Sequence, residues 1–243
     1  MGYKIYCPKP MSETAMENLR KKGFEFIGIW EDSREAMKKY MAEADVAIAR
    51  VHYFDEELLD IAKNLKLLQV HGVGYQDHVD CKKAAERGIY VAYSPYGNHT
   101  TVAEGAVALT LSLTKHICEY NIGVRKPGGM RAKMAIELEN STLGLLGLGN
   151  IARSFAHKMH YGMDMEVIAY DPYIERAFVP SFIKMVDTME EVFEQADVVS
   201  LHIPGEKTNK DMINKYYFDK MKPTAYFVNT ARDILVNNDD LYD

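Results

Sequence analysis

"TLGLLGLGNIARSF", residues 142–155, runs from an apolar stretch into two closely spaced glycines and out again into helical spacing. Gly147, Gly149 and Ala152 form the pattern G-x-G-x-x-A, placed after a buried-strand run and before a helix. The first glycine of such a turn permits its tightness, the second lets backbone approach a pyrophosphate, and the third small residue lets helix and strand pack closely. The helix N-terminus adds unbonded N–H groups and a partial positive charge suited to phosphate.

The glycines alone are a weak signal, and the next strand strengthens them. Asp171 closes "MEVIAYD" (165–171), 22 residues after Gly149, close to the ~20 expected of a ribose-binding carboxylate. A carboxylate there accepts from a 2'-hydroxyl and repels a 2'-phosphate, which predicts NAD over NADP. Arg176 is placed to blunt that preference. An S-adenosylmethionine methyltransferase shares the glycine turn and the acid. It leaves the preceding α/β unit and Arg232 unexplained.

Outward from the turn, strands and helices alternate on both sides. Upstream, residues 3–7, 24–29, 45–49, 65–71 and 88–92 read as buried strands separated by amphipathic helices. Ser12, Asp32 and Asp55 are the expected N-caps, and Gly23 ends the first helix. Residues 101–120 read as one long helix and 125–131 as a break at Pro127, Gly128 and Gly129. Downstream, strands are expected at 142–149, 165–171, 183–187, 197–204 and 224–230. Such alternation predicts parallel sheets covered on both faces. The expected fold is α/β, with a first unit over 1–98 and a doubly wound Rossmann-type unit over 99–243.

A net charge of −6 with no long Lys/Arg block argues against nucleic acid or an anionic membrane as partner. No apolar stretch approaches the ~20 residues of a membrane span, and the start "MGYKIYCPKP" has no apolar leader. The chain therefore reads as cytoplasmic, with a small molecule as partner. Cys7, Cys81 and Cys118 lack the spacing of a disulfide framework or zinc site and are expected as buried, reduced thiols. His157 and His160 stand three apart without a third ligand, so no metal is expected. His202 is read as structural.

Taken together, "HGVGYQDHVD", "AYSPYGNHTTVAEGAVALTLSL", "STLGLLGLGNIA", "AYDPY", "ADVVSLHIPGEKTNKDMIN" and "MKPTAYFVNTARDILVNNDDL" resemble the D-isomer-specific 2-hydroxyacid dehydrogenases in content, order and spacing. The likeness runs from about residue 45 onward, and "AYSP" followed by "TVAE" is similar to the D-lactate dehydrogenase-like branch. It implies a flavodoxin-like substrate domain beginning with 1–98 and an NAD-binding Rossmann domain over 99–243. It also implies reversible hydride transfer between NADH and a 2-oxo acid, and a homodimer.

The resemblance also implies residue roles. Arg232 in "NTAR" matches the catalytic arginine, whose planar fork holds the substrate carboxylate and polarises its carbonyl. Val73 and Gly74 match a carboxylate-binding backbone loop, although "GYQDHVD" carries one more residue than the commoner pattern. Tyr93 matches a substrate-pocket position. Asn150 and Ile151 match residues over the pyrophosphate, and Asp171 the ribose acid. Ile203, Pro204 and Asn209 match the adenosine border, and Thr230 and Ala231 the backbone near nicotinamide.

The family's glutamate and histidine for proton transfer lie downstream of that arginine, and no residue after Arg232 is Glu or His. The chain is therefore expected to be C-terminally incomplete, to lack part of the Rossmann sheet, and to be a weak catalyst. The alternative is a non-catalytic NAD-binding or interaction protein on the same fold. Asp233 stands where the family has glycine, which is expected to alter the local turn.

Overall fold

The computed structural model describes residues 2–242. It divides into two compact units, Met1–Asn98 and His99–Asp243.

In the first unit five short strands, β1 (Lys4–Tyr6), β2 (Glu25–Ile27), β3 (Val46–Ala49), β4 (Leu67–Val70) and β5 (Tyr90–Ala92), form one parallel sheet. Helices α1 (Glu13–Lys21), α2 (Arg34–Met41), α3 (Glu56–Ile61) and α4 (Cys81–Glu86) connect them. The strand order β2-β1-β3-β4-β5 is the flavodoxin-like order. Its core includes Tyr6, Met41, Phe54, Leu58 and Leu68, all fully buried.

Capping agrees with expectation at Ser12, which accepts from the Ala15 N–H, and at Asp55, which accepts from the Leu58 N–H. It differs at α2, where Ser33 is the cap. Asp32 is engaged elsewhere: Lys9 bonds it, His52 Nε2 lies 3.3 Å from it, and hydrogen bonds from Lys9 and His52 hold its carboxyl below the usual range.

The second unit begins with α5 (His99–Thr114) and α6 (Ile117–Gly123). These are two helices where the sequence predicts one. His116 takes a left-handed φ of 54°, and the Thr110 and Thr114 hydroxyls bond back to Ala106 and Thr110 carbonyls within the last turns of α5. Then follow β6 (Thr142–Leu146), α7 (Asn150–Met163), β7 (Glu166–Tyr170), β8 (Ile183–Met185), α8 (Met189–Gln195), β9 (Val198–Leu201), α9 (Lys215–Phe218), β10 (Tyr226–Asn229) and α10 (Asn238–Tyr242).

The second sheet is parallel with order β10-β9-β6-β7-β8. Counted from its own first strand this is 5-4-1-2-3, five strands of the Rossmann order. The order reverses between β6 and β9, which creates a crevice at their carboxyl ends. Packing of α5 and α7 on one face buries Phe155, Ala156, Met159, Leu143 and Leu145, while α8 covers the other with Val192 and Phe193.

Two of the three cysteines part company with expectation. Cys7 is buried, and burial raises its thiol pKa; Cys81 is half-buried and Cys118 on α6 is exposed. No helix among the described residues is long and apolar enough to cross a membrane.

Candidate active site at the carboxyl edge of the second sheet

Gly147 leaves β6 with φ 87°, a conformation that L side chains rarely adopt. A Cβ there would stand 2.9 Å from the His202 carbonyl oxygen, so the turn lies against the backbone leaving β9. Gly149 has an extended backbone and caps α7 without a side-chain hydrogen bond. A Cβ on Gly149 would meet nothing within 4 Å. The surface over Gly149 is thus open in front of a 14-residue helix whose first N–H groups lack a side-chain cap. Open space before a helix N-terminus is the setting in which backbone N–H groups receive an anion such as a pyrophosphate. Ala152, the third small residue, is fully buried against the sheet.

Asp171 follows β7, and one of its oxygens accepts from the Leu148 N–H at 2.8 Å while the other accepts from the Tyr173 N–H at 2.9 Å. The acid is thereby fixed beside the glycine turn. Arg176, the residue suspected of reaching the ribose, is instead paired with Asp187. Asn150 and Ile151 open α7, Asn150 exposed and Ile151 half-buried. Arg153, not foreseen, donates to the Leu148 and Phe178 carbonyls at 3.1 and 2.8 Å and braces the turn from behind.

Beyond β9 the chain passes through His202, Ile203, Pro204 and Gly205. His202 is largely buried, with Nε2 3.0 Å from the Ser200 hydroxyl. Burial lowers its pKa to about 4, so the ring is neutral at physiological pH. Asn209 closes the loop by donating its side-chain amide to the Pro204 carbonyl at 3.1 Å.

The turn after β10 holds the residue of greatest chemical interest. Asn229 accepts from the Ala231 N–H through Oδ1 and donates to the Arg232 carbonyl through Nδ2, both at 2.9 Å. That pair of bonds clamps the "NTAR" turn and presents Arg232 as an exposed side chain at the same sheet edge. Its Nη1 donates to the Ala231 carbonyl at 2.7 Å. The hydroxyl of Thr230 is buried and has no hydrogen-bond partner among the described residues. Asp233 begins a 3-10 turn at an ordinary negative φ, so no glycine is required after Arg232.

In the first unit, Val73 and Gly74 follow β4. Among the described residues nothing accepts from either N–H, so this turn also offers open donors. Tyr93, exposed beyond β5, has its ring 5.1 Å from that of Tyr75 and so is partly engaged in packing. His157 and His160 join an aromatic cluster, His160 stacking on Phe182 at 4.7 Å.

A doubly wound sheet with a glycine turn at its switch point and an acid fixed after the second strand is the arrangement of a Rossmann-type dinucleotide-binding domain. Comparison with known proteins narrows the class. Residues 107–243 match the family description "D-isomer specific 2-hydroxyacid dehydrogenase, NAD binding domain". Over 243 residues the chain is 33% identical to a D-3-phosphoglycerate dehydrogenase of Archaeoglobus fulgidus, covering 99% of this chain and 46% of that protein. It is 31% identical to a hydroxypyruvate reductase of Thermotoga maritima, covering 99% of this chain and 78% of that one. A crystal structure of an NAD-dependent formate dehydrogenase from Staphylococcus aureus in complex with NAD superposes with a TM-score of 0.82. It is 28% identical, with 98% of this chain and 76% of that chain covered.

The chain belongs to the D-isomer-specific 2-hydroxyacid dehydrogenase family, and its second unit carries that family's NAD-binding domain. It spans about half the length of the first of these relatives.

Residues of the site that the sequence reading does not name are Arg153, Gly205 and Asn229. Asn229 was legible in principle, because an Asn two residues before a turn residue is a common Asx signal.

Proposed function

We propose that the chain is an NAD-dependent oxidoreductase that interconverts a 2-oxo acid and a D-2-hydroxy acid, of D-lactate-like type. One observation carries this reading: Arg232 stands on a clamped turn at the sheet edge where Gly147, Gly149 and Asp171 form the dinucleotide cradle.

NADH bound there would supply hydride to the carbonyl carbon, and solvent would supply the proton that completes the hydroxyl. Gly149, Asn150 and Ile151 take the pyrophosphate, and Asp171 takes the adenosine ribose. Ile203, Pro204 and Asn209 line the adenosine side; Thr230 and Ala231 line the nicotinamide side. Arg232 holds the substrate carboxylate with its fork and draws electron density from the carbonyl oxygen as it becomes an alkoxide. Val73 and Gly74 are assigned to substrate through their open N–H groups, and Tyr93 to the substrate pocket.

A neutral, buried His202 is a poor proton donor at neutral pH. The chain is expected to bind NADH in this cradle. We further assign it a cytoplasmic location and a homodimer built on the apolar side chains that α5 and α6 leave exposed, among them Leu109, Leu113, Ile117 and Ile122.

The test follows NADH absorbance with pyruvate, glyoxylate and hydroxypyruvate, beside calorimetric titration of NADH. Saturable NADH binding with slow, substrate-dependent oxidation supports the reading. Binding with no oxidation by any 2-oxo acid favours a protein that only binds the dinucleotide.

A further inference from the structure

We propose that Gly205 is a positioning residue for Arg232: the absence of a side chain at 205 sets where the guanidinium stands. The inference rests on the substrate-binding role given to Arg232 above.

Gly205 ends the turn after β9, and Arg232 ends the turn after β10. These strands are adjacent and parallel, with Leu201 in register with Asn229. The two turns leave the sheet at the same level. Gly205 is not among the residues with positive φ, so its backbone does not call for glycine. Space does. A Cβ at 205 would stand 2.3 Å from Arg232 Cγ, 2.6 Å from its Cβ and 3.5 Å from its Cδ.

The arginine stem thus lies flat across the α-carbon of Gly205. Rotation about χ1 moves Cγ and everything beyond it, but leaves Cβ in place. No rotamer of Arg232 therefore clears the 2.6 Å contact, and backbone has to shift as well.

Both turns resist that shift. The Arg232 turn is clamped by the two Asn229 hydrogen bonds, and the Gly205 turn is pinned by Asn209 and the Glu206 N–H on the Pro204 carbonyl. A side chain at 205 therefore pushes the Arg232 α-carbon and stem a short way aside together and swings the terminal fork. A bidentate grip on a carboxylate depends on sub-ångström placement, so a displaced fork loses substrate before it loses cofactor.

The experiment compares Gly205→Ala, Arg232→Ala and the parent chain for calorimetric binding of NADH and, with NADH saturating, of oxamate as a non-reducible 2-oxo acid mimic. Expected for Gly205→Ala is at least tenfold weaker oxamate binding with NADH affinity within about twofold. NADH and oxamate affinities falling together overturn the proposal, because the disturbance then extends beyond the arginine to the cofactor side. Unchanged oxamate binding also overturns it. Oxamate binding indifferent to Arg232→Ala sinks instead the underlying reading of Arg232.

A second arm covers failure to fold. In an Arg232→Gly background no Cβ remains to collide, so adding Gly205→Ala is expected to shift the melting temperature by less than about one degree. A shift as large as in the parent background contradicts the contact.

Discussion

The Leu148 N–H donates to the Asp171 carboxylate at 2.8 Å, which ties the residue between the two glycines to the acid after the next strand. Asp171 is therefore both a binding group and a support. Asp171→Ala removes the acceptor for two backbone N–H groups, and hydrogen bonds to charged groups contribute ~1.5–3 kcal/mol each when buried. Because this site is half-buried, the expected loss is about 1–2 kcal/mol in urea unfolding, with NADH affinity down at least tenfold. Asp171→Asn keeps an acceptor but removes the charge that repels a 2'-phosphate. Its NADPH affinity relative to NADH is expected to rise, as parallel titrations would show.

The two glycines of the turn are expected to fail differently. Gly147→Ala forces a Cβ onto positive φ and against the His202 carbonyl, and is expected to cost ~2–3 kcal/mol of stability. Gly149→Ala has extended backbone and open space, so stability is expected to stay within about 0.5 kcal/mol while NADH affinity drops. Thermal melts beside NADH titration separate the two effects; equal destabilisation would contradict the cradle.

Acid stability is expected to carry the signature of His202. Its folded pKa of about 4 lies below the ordinary unfolded value near 6.5, so the unfolded state binds the proton first as pH falls. The stability contributed by the neutral ring is fully present above about pH 6.5 and drains away toward pH 4. By linkage the loss is at most about 3 kcal/mol. His202→Gln, which keeps a partner for Ser200 and does not titrate, is expected to flatten that slope in urea unfolding from pH 7 to 4.

Arg232→Ala is expected to lower kcat/KM for 2-oxo acid reduction by ~10²–10³ while NADH affinity changes less than about twofold. Arg232→Lys is expected to recover only part of the loss, because an ammonium keeps the charge but not the planar fork. Steady-state kinetics of whatever turnover the parent chain shows provide the comparison, with oxamate affinity as the binding readout.

Much of this architecture was legible because it rests on local patterning. Buried parallel strands such as "VAIA" and "VVSL" are continuous apolar runs, and the glycine turn with Asp171 is a fixed-distance motif. What escaped depends on contacts between distant residues. Asp32 looks like a cap until Lys9 and His52 arrive from other loops. Residues 101–120 look like one helix because His116 gives no local warning of its left-handed backbone. Gly205 reads as an ordinary loop glycine, since the Arg232 stem that occupies its missing side chain comes from another strand. Arg153 likewise serves the turn through two carbonyls that no spacing rule names.

Whether the glycine turn receives the dinucleotide is decided by isothermal titration of the folded 243-residue chain with NADH, with NADPH and the Gly149→Val variant as paired controls. One saturable NADH site per chain is expected, with weaker NADPH binding, and with binding lost in a variant that still unfolds cooperatively. A folded parent chain that takes up no NADH, or binds it unchanged when Gly149 becomes valine, would contradict it.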